Sequence, residues 1–253
     1  MFRVSCIQLC SSDCIKSNLQ RSERLIKKAV SQKANLIITP ELSLWGYPAK
    51  DLLFDSSLIE NQLLILDKMV EQIKHQDINS SFLIGIAEPA KDLQLPRLFN
   101  SIVLLNATGW EVVARKQLLP TYDVFDEKRY FRPANNSSLI NLKSKEKSWQ
   151  IGLSICEDLW VEEEIQGQRI AGADPVASLS NKKVDLLLNL SASPFSHEKD
   201  HLRKRIAAKA AIRLNCPVIY LNQVGGNDDL IFDGSSFAID KRGMTTLTLP
   251  ICQ

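Results

Sequence analysis

The sequence predicts a layered α/β fold, and three observations carry that reading. Apolar runs of strand length alternate along the chain with runs whose apolar residues recur at helical spacing. Of the 253 residues, 45% are hydrophobic and 24% charged, with only 10 glycines and 10 prolines, the balance of an ordinary folded domain. A chain of this size buries roughly 70% of the surface its unfolded form exposes, so one core suffices without disulfide or metal staples.

Residues 2–9 alternate weakly and predict a strand, and Leu19, Leu25, Ile26, Ala29 and Val30 predict a helix over about 17–32. Residues 36–39 form the next strand, stopped by Pro40. Ile59, Leu63, Leu66, Val70 and Ile73 recur at steps of four and three, which marks a helix with one buried stripe. Residues 82–88 follow as an apolar strand, and 98–106 with 110–116 make a hairpin about Gly109. Residues 151–156 and 184–191 read as buried strands separated by an acidic insertion near 161–170, expected to be helical. After Pro194 comes a helix over 197–214, then a strand at 217–223 that Gly225-Gly226 breaks. A last hairpin pairs 235–240 with 245–249 across Lys241-Arg242-Gly243. This order argues for helices covering sheets.

Lys and Arg number 31 against 29 Asp and Glu, a net charge of +2, and no basic face with interleaved aromatics points to nucleic acid. The apolar runs are strand-sized, far short of the ~20 residues of a membrane span. The N-terminus has no secretory-signal pattern, so a cytoplasmic protein with reduced thiols is expected from its six cysteines. Cys6, Cys10 and Cys14 fall four apart, but Cys6 sits in a strand and no histidine is near, a poor zinc set.

In α/β folds, ligands meet polar residues at the carboxyl ends of strands. Three such residues stand out: Glu41 after 36–40, Lys116 after 111–115, and Cys156 after 151–155. A carboxylate, an amine and a thiol are the base, oxyanion stabiliser and nucleophile of acyl transfer without histidine. The competing reading is a turn cap, a surface amine and a small buried hydrophobe, since free cysteine is among the most buried residue types. His197-Glu198-Lys199-Asp200-His201 matches H-E-x-x-H, a zinc-hydrolase pattern when it lies on one buried helical face. Lys199 and Asp200 stand where such helices are apolar, and His75 is the only other histidine, so a solvated helix start is expected.

Three segments tip the balance. Thr39-Pro-Glu-Leu-Ser-Leu-Trp-Gly-Tyr-Pro48, Arg115-Lys-Gln-Leu-Leu-Pro120 with Val124-Phe-Asp-Glu-Lys-Arg-Tyr-Phe131, and Ile155-Cys-Glu-Asp-Leu-Trp160 resemble, in order and spacing, the three catalytic blocks of the nitrilase, or carbon–nitrogen hydrolase, superfamily. Gly46-Tyr-Pro-Ala-Lys-Asp-Leu-Leu-Phe54, Asn189-Leu-Ser-Ala-Ser-Pro-Phe195 and Asn222-Gln-Val-Gly-Gly226 with Phe232-Asp-Gly-Ser-Ser-Phe237 sharpen this to a resemblance to the glutaminase domain of glutamine-dependent NAD synthetases.

The resemblance implies a four-layer αββα sandwich and the reaction of glutamine with water to give glutamate and ammonia. Glu41 would be the general base, Cys156 the nucleophile and Lys116 the cation at the oxyanion, joined there by the Glu157 amide. A thiol of pKa ~8.5 is only partly ionised at neutral pH, so a lysine and a base are expected to hold the thiolate. Glu127, eleven residues after Lys116, would orient the lysine and touch the substrate amide. Tyr122, Glu157, Ser193 and Lys199 match positions that hold the α-ammonium and α-carboxylate of glutamine. Asp123 departs from the family pattern, where glycine is usual, as does Asn227, where glutamine is frequent.

No cofactor is implied for the glutaminase reaction; ATP and Mg belong to a synthetase domain whose Ser-Gly-Gly-type loop is not found in these residues. One glutaminase domain over 1–253 is expected, short of its last strand or linker, with a synthetase domain or chain as ammonia acceptor and a homo-oligomer as its assembly. Two rivals stand beside it: a free-standing amidase, nitrilase or carbamoylase, and a silent oligomerisation or binding module.

Overall fold

In the computed structural model, which describes residues 2–136, 138–144, 147–161, 164–165, 168–169 and 173–253, the side chains of Leu36–Ile38 enter two different cores. Leu36 and Ile38 pack between two sheets, while Ile37 packs beneath helices on the opposite face. A strand that is apolar at every position is one buried on both faces. Four layers follow from it.

The first sheet and its helices use β1 (Val4–Cys6), α1 (Ile15–Ser31), β2 (Leu36–Ile38), α2 (Ser56–His75), β3 (Ser81–Pro89), β4 (Leu98–Asn106) and β5 (Gly109–Arg115). Its strands lie in chain order, β1 to β3 parallel and β3 to β5 antiparallel. α1 and α2 cover the outer face, where Ile59, Leu66, Val70 and Ile73 meet Ile37, Phe82 and Ile84. Asp55 caps α2 by accepting the Ser57 amide at 2.9 Å. Gln62, buried in the apolar stripe, donates to the Ala87 carbonyl at 2.7 Å and accepts from the Trp45 indole at 2.5 Å. It ties the helix to β3 and to the loop after β2.

The second half holds α3 (Glu127–Tyr130), β6 (Ser138–Ser144), β7 (Lys147–Ile155), β8 (Glu164–Ile165), β9 (Gln168–Arg169), α4 (Ala177–Ser180), β10 (Leu186–Ser191), α5 (Lys199–Leu214), β11 (Val218–Asn222), β12 (Val224–Asn227), β13 (Leu230–Asp233), β14 (Phe237–Ile239) and β15 (Thr245–Thr248). The second sheet runs β15-β14-β11-β10-β7-β6, with β7, β10 and β11 parallel. Alternation again sorts the faces: Leu186, Leu188 and Leu190 enter the core between the sheets, and Leu187 lies under α5 with Ile206, Ala207, Ala210 and Ala211. The result is the αββα sandwich. No described helix is long and apolar enough to cross a membrane.

Several elements differ from expectation. The first strand is confined to Val4–Cys6, and α5 begins at Lys199 because Glu198 takes a left-handed φ of +62°. Gly225 and Gly226 do not end the sheet structure but sit inside a hairpin of β12 and β13; the Cys10 side chain crowds Gly225, whose φ of +101° suits glycine. Instead of the helix expected near 161–170, β8 and β9 pair antiparallel, the remaining part of that span falling largely outside the described residues. β6, not foreseen, pairs with β7 at the sheet edge. Cys6 packs into the inter-sheet core while Cys10 and Cys14 are exposed, so the three thiols do not converge.

Candidate active site

Three strand ends deliver Glu41, Lys116 and Cys156 to one buried place. Glu41 lies in the turn after β2, Lys116 directly after β5, and Cys156 directly after β7. Lys116 Nζ donates to Glu41 Oε1 and to Glu127 Oε1, each at 2.6 Å. Tyr47 Oη donates to the same Glu127 oxygen at 2.7 Å. Asn100 Nδ2 donates to Glu41 Oε1 at 2.7 Å and the Ala192 amide to Glu41 Oε2 at 3.0 Å. Asn100 belongs to β4 and Ala192 follows β10, so both sheets grip this carboxylate.

The turn that carries Glu41 lies directly on β3. A Cβ at Gly85 would stand 2.4 Å from the Leu42 nitrogen and 2.6 Å from the Pro40 carbonyl oxygen, an approach that only glycine permits. Cys156 opens a short 3₁₀ turn at a φ of +45°, and its carbonyl accepts from Asn189 Nδ2 at 3.3 Å. A non-glycine residue there is strained, and strain of this kind persists where the surroundings over-determine it.

Burial sets the charges. It pushes the Cys156 thiol well up, and the Glu41 charge adds to it while Lys116 pulls the other way. The buried site thus disfavours the thiolate that the sequence reading expects. The physical reason is that one ammonium shared between two carboxylates does not repay the loss of water around a sulfur anion. Burial works against the Lys116 charge too, but Glu127 and Glu41 outweigh it and hold the ammonium well above the ordinary lysine range. Burial lifts the Glu127 carboxyl to about 7 against the pull of Lys116.

Beside this group, Tyr122 Oη donates to Glu157 Oε1 at 2.5 Å. Glu157 Oε2 is buried with no hydrogen-bond partner among the described residues, and burial raises this carboxyl. Lys199 Nζ stands 5.6 Å from the Trp160 ring centre and 5.9 Å from that of Phe125, and burial pulls its ammonium down. A cavity of about 860 Å³ opens over Tyr122, Phe125, Trp160, Pro194 and Lys199. Cys156 is not on its wall and keeps only 7% exposure.

Ser193 is engaged from behind. Its hydroxyl oxygen accepts from Arg203 Nε at 3.1 Å, which leaves the hydroxyl proton to donate. Arg203 is fully buried, pairs with both Asp233 oxygens at 2.8 and 2.9 Å, and holds the carbonyls of Ser193 and Pro194 at 2.9 Å. Asp123 adopts a φ of +53°, the left-handed conformation that aspartate tolerates better than most residues, so the departure from glycine leaves a left-handed turn. Asn227 Nδ2 donates to the Pro48 carbonyl at 3.4 Å. His197 precedes α5 and both His197 and His201 are exposed, so they do not share a buried helical face.

Asn100, Arg203 and Tyr47 are the parts of the site that sequence reading left out. For Asn100 a signal existed: the polar pair Asn100-Ser101 interrupts an otherwise apolar strand.

Residues 3–250 match the carbon–nitrogen hydrolase family. The glutamine-dependent NAD(+) synthetase of Synechocystis sp. is 39% identical over all of this chain and 45% of its own length. That of Acinetobacter baylyi is 36% identical over 93% of this chain and 39% of its own length. The chain thus spans less than half the length of these relatives. Among solved structures, a glutamine-dependent NAD+ synthetase from Acinetobacter baumannii superposes with a TM-score of 0.84 at 32% identity, covering 100% of this chain and 44% of that one. An amidase from Nesterenkonia sp. AN1 superposes with a TM-score of 0.74 at 20% identity, covering 99% of this chain and 89% of that one, and shares the fold.

Proposed function

The chain belongs to the carbon–nitrogen hydrolase family, and on that premise we propose that it is a cysteine-dependent glutamine amidohydrolase supplying ammonia for NAD synthesis. One observation carries the choice of substrate. Glu157 keeps a buried oxygen without a partner beside the Tyr122 hydroxyl, an arrangement suited to an α-ammonium group. Lys199, framed by Phe125 and Trp160, offers the α-carboxylate a partly desolvated cation.

In the proposed reaction Glu41 removes the Cys156 proton as the sulfur attacks the carboxamide carbon. Proton removal and attack are coupled because the buried site disfavours a free thiolate. The developing oxyanion is met by the Lys116 ammonium and the Glu157 amide, a first-turn amide of the kind that lacks a helical partner. Glu41 returns the proton to the leaving nitrogen, ammonia departs, and a glutamyl thioester remains on Cys156. Glu41 then takes a proton from water as its oxygen attacks the thioester; the C–S bond breaks, glutamate is released, and Glu41 gives the proton to the departing Cys156 sulfur. Glu127 keeps Lys116 charged and aimed throughout. These steps move protons and one acyl group and call on no cofactor.

The ammonia acceptor in this proposal is a NAD-synthesising domain or chain, in keeping with the names of the relatives. A cytoplasmic homo-oligomer is part of the same reading. Glutamate release from glutamine by the purified chain, alone and with a separately supplied synthetase domain, tests it, with Cys156→Ala as control. Release that is lost in the control supports the proposal. Release from simple aliphatic amides but not from glutamine would favour an amidase, and no release from folded protein would favour a silent module.

A further inference from the structure

One carboxylate of the Cys156 turn takes no part in these steps and yet touches both arms of the site. Asp158 is buried at 2% exposure. Its Oδ1 accepts the amides of Gln117 and Leu118 at 3.0 and 2.9 Å, and its Oδ2 accepts the amide of Ile155 at 3.2 Å. Gln117 and Leu118 directly follow Lys116, and Ile155 directly precedes Cys156. We propose that Asp158 is a positioning residue that sets the Lys116 ammonium against the Cys156 sulfur; the inference rests on the functional reading above.

The topology explains why a staple is needed. Lys116 ends β5 in the first sheet and Cys156 ends β7 in the second, so no ladder hydrogen bond fixes one strand end against the other. The Lys116 amide donates within its own half, to the Asn100 carbonyl at 2.8 Å, and its carbonyl accepts from Ala134 of the second half at 2.9 Å. Cys156 is anchored within the other half by Asn189. The two halves also meet elsewhere, as where the Val224 amide donates to the Leu9 carbonyl at 3.1 Å, but among the described residues Asp158 is the side chain that joins the backbone after Lys116 to the backbone before Cys156. Only an acceptor on both sides can do this: an asparagine of the same shape would turn its NH₂ toward either the Ile155 amide or the Gln117–Leu118 pair, donor against donor. Burial lifts the Asp158 carboxyl to about 7, the cost of keeping an acceptor there.

The test uses the whole chain with Asp158→Asn, Asp158→Glu and, as a control, Asp185→Asn, which loses a carboxylate–amide bond at the far end of β7. Two readouts are taken: kcat and KM for glutamine, and the pH dependence of iodoacetamide alkylation of the Cys156 peptide, followed by mass spectrometry. Asp158→Asn should lose roughly 100-fold in kcat with little change in KM, as expected when reacting groups are misplaced by about an ångström. Asp158→Glu, still an acceptor, should recover part of that loss, and Asp185→Asn should keep kcat. The alkylation midpoint should rise in Asp158→Asn, because Lys116, which lowers the thiol, has drifted away; mere removal of a nearby negative charge would make it fall.

An unchanged or lowered midpoint, or a kcat loss that only follows the unfolded fraction, would overturn the proposal. If the wild-type chain releases no glutamate but the midpoint still rises, the glutaminase reading fails and the positioning role stands.

Discussion

Lys116 Nζ lies 2.6 Å from Glu41 Oε1, a buried bond between strand ends 75 residues apart. Base and oxyanion cation are thus one electrostatic unit in the resting site. Glu41→Gln should lower kcat by about 10²–10⁴, the range of a positioned general base, and Lys116→Met should be similarly damaging. Because the groups act together, the double variant should be little worse than the worse single one. Steady-state kinetics on the four proteins checks this, and multiplicative losses would show that the two residues work independently.

Glu157 should govern which amide is accepted. Glu157→Gln keeps the shape but removes the charge offered to an ammonium, so KM for glutamine should rise about tenfold, the equivalent of one charged hydrogen bond. Glutaric acid monoamide, which is glutamine without its α-amine, should be rejected by the wild-type chain and discriminated against far less by the variant. Equal preference in both proteins would remove Glu157 from substrate recognition.

Glu127 gives stability a pH dependence of definite sign. Its carboxyl is raised to about 7 by burial, so between roughly pH 4.5 and 7 the folded chain binds a proton that the unfolded chain has released. Its contribution to stability is therefore complete below about 4.5 and is lost as pH rises through 7. Glu127→Gln, always neutral, should lack this decline: the Tm difference between variant and wild type should move in the variant's favour from pH 5 to pH 8. A difference that is flat or moves the other way would mean that Glu127 is ionised throughout that range.

Gly85 should be irreplaceable for a reason unrelated to its own flexibility. Gly85→Ala pushes a methyl into the backbone that carries Glu41, at roughly 1–3 kcal/mol of stability. The folded variant should also lose kcat, since the displaced turn carries the base. Gly226→Ala, whose added carbon would find its nearest atom at 3.8 Å, serves as the comparison and should be nearly silent in both measurements.

The strand ends were legible because each is announced locally. Leu36–Ile38, 112–114 and 151–155 are mostly apolar runs followed within three residues by Glu41, Lys116 and Cys156, and in α/β folds ligands bind at the carboxyl ends of strands. Arg203 was not legible: it sits in a helix crowded with Lys and Arg, and nothing in the spacing separates the one arginine that turns inward to Asp233 from its solvated neighbours. The β12–β13 hairpin was hidden for a related reason. Two glycines read as a break, whereas here Gly225 makes room for Cys10 and pairing continues through both. The bias of the site against a Cys156 thiolate was also out of reach, because it depends on how deeply three distant segments bury one another.

The most direct measurement is the mass of the Cys156 peptide after rapid acid quench of the chain during glutamine turnover. A glutamyl adduct on Cys156, appearing before glutamate reaches its steady rate of release and missing in Glu41→Gln, is the predicted result. Steady glutamate release with no adduct on Cys156 at any time, or an adduct on another residue, would contradict the thioester route.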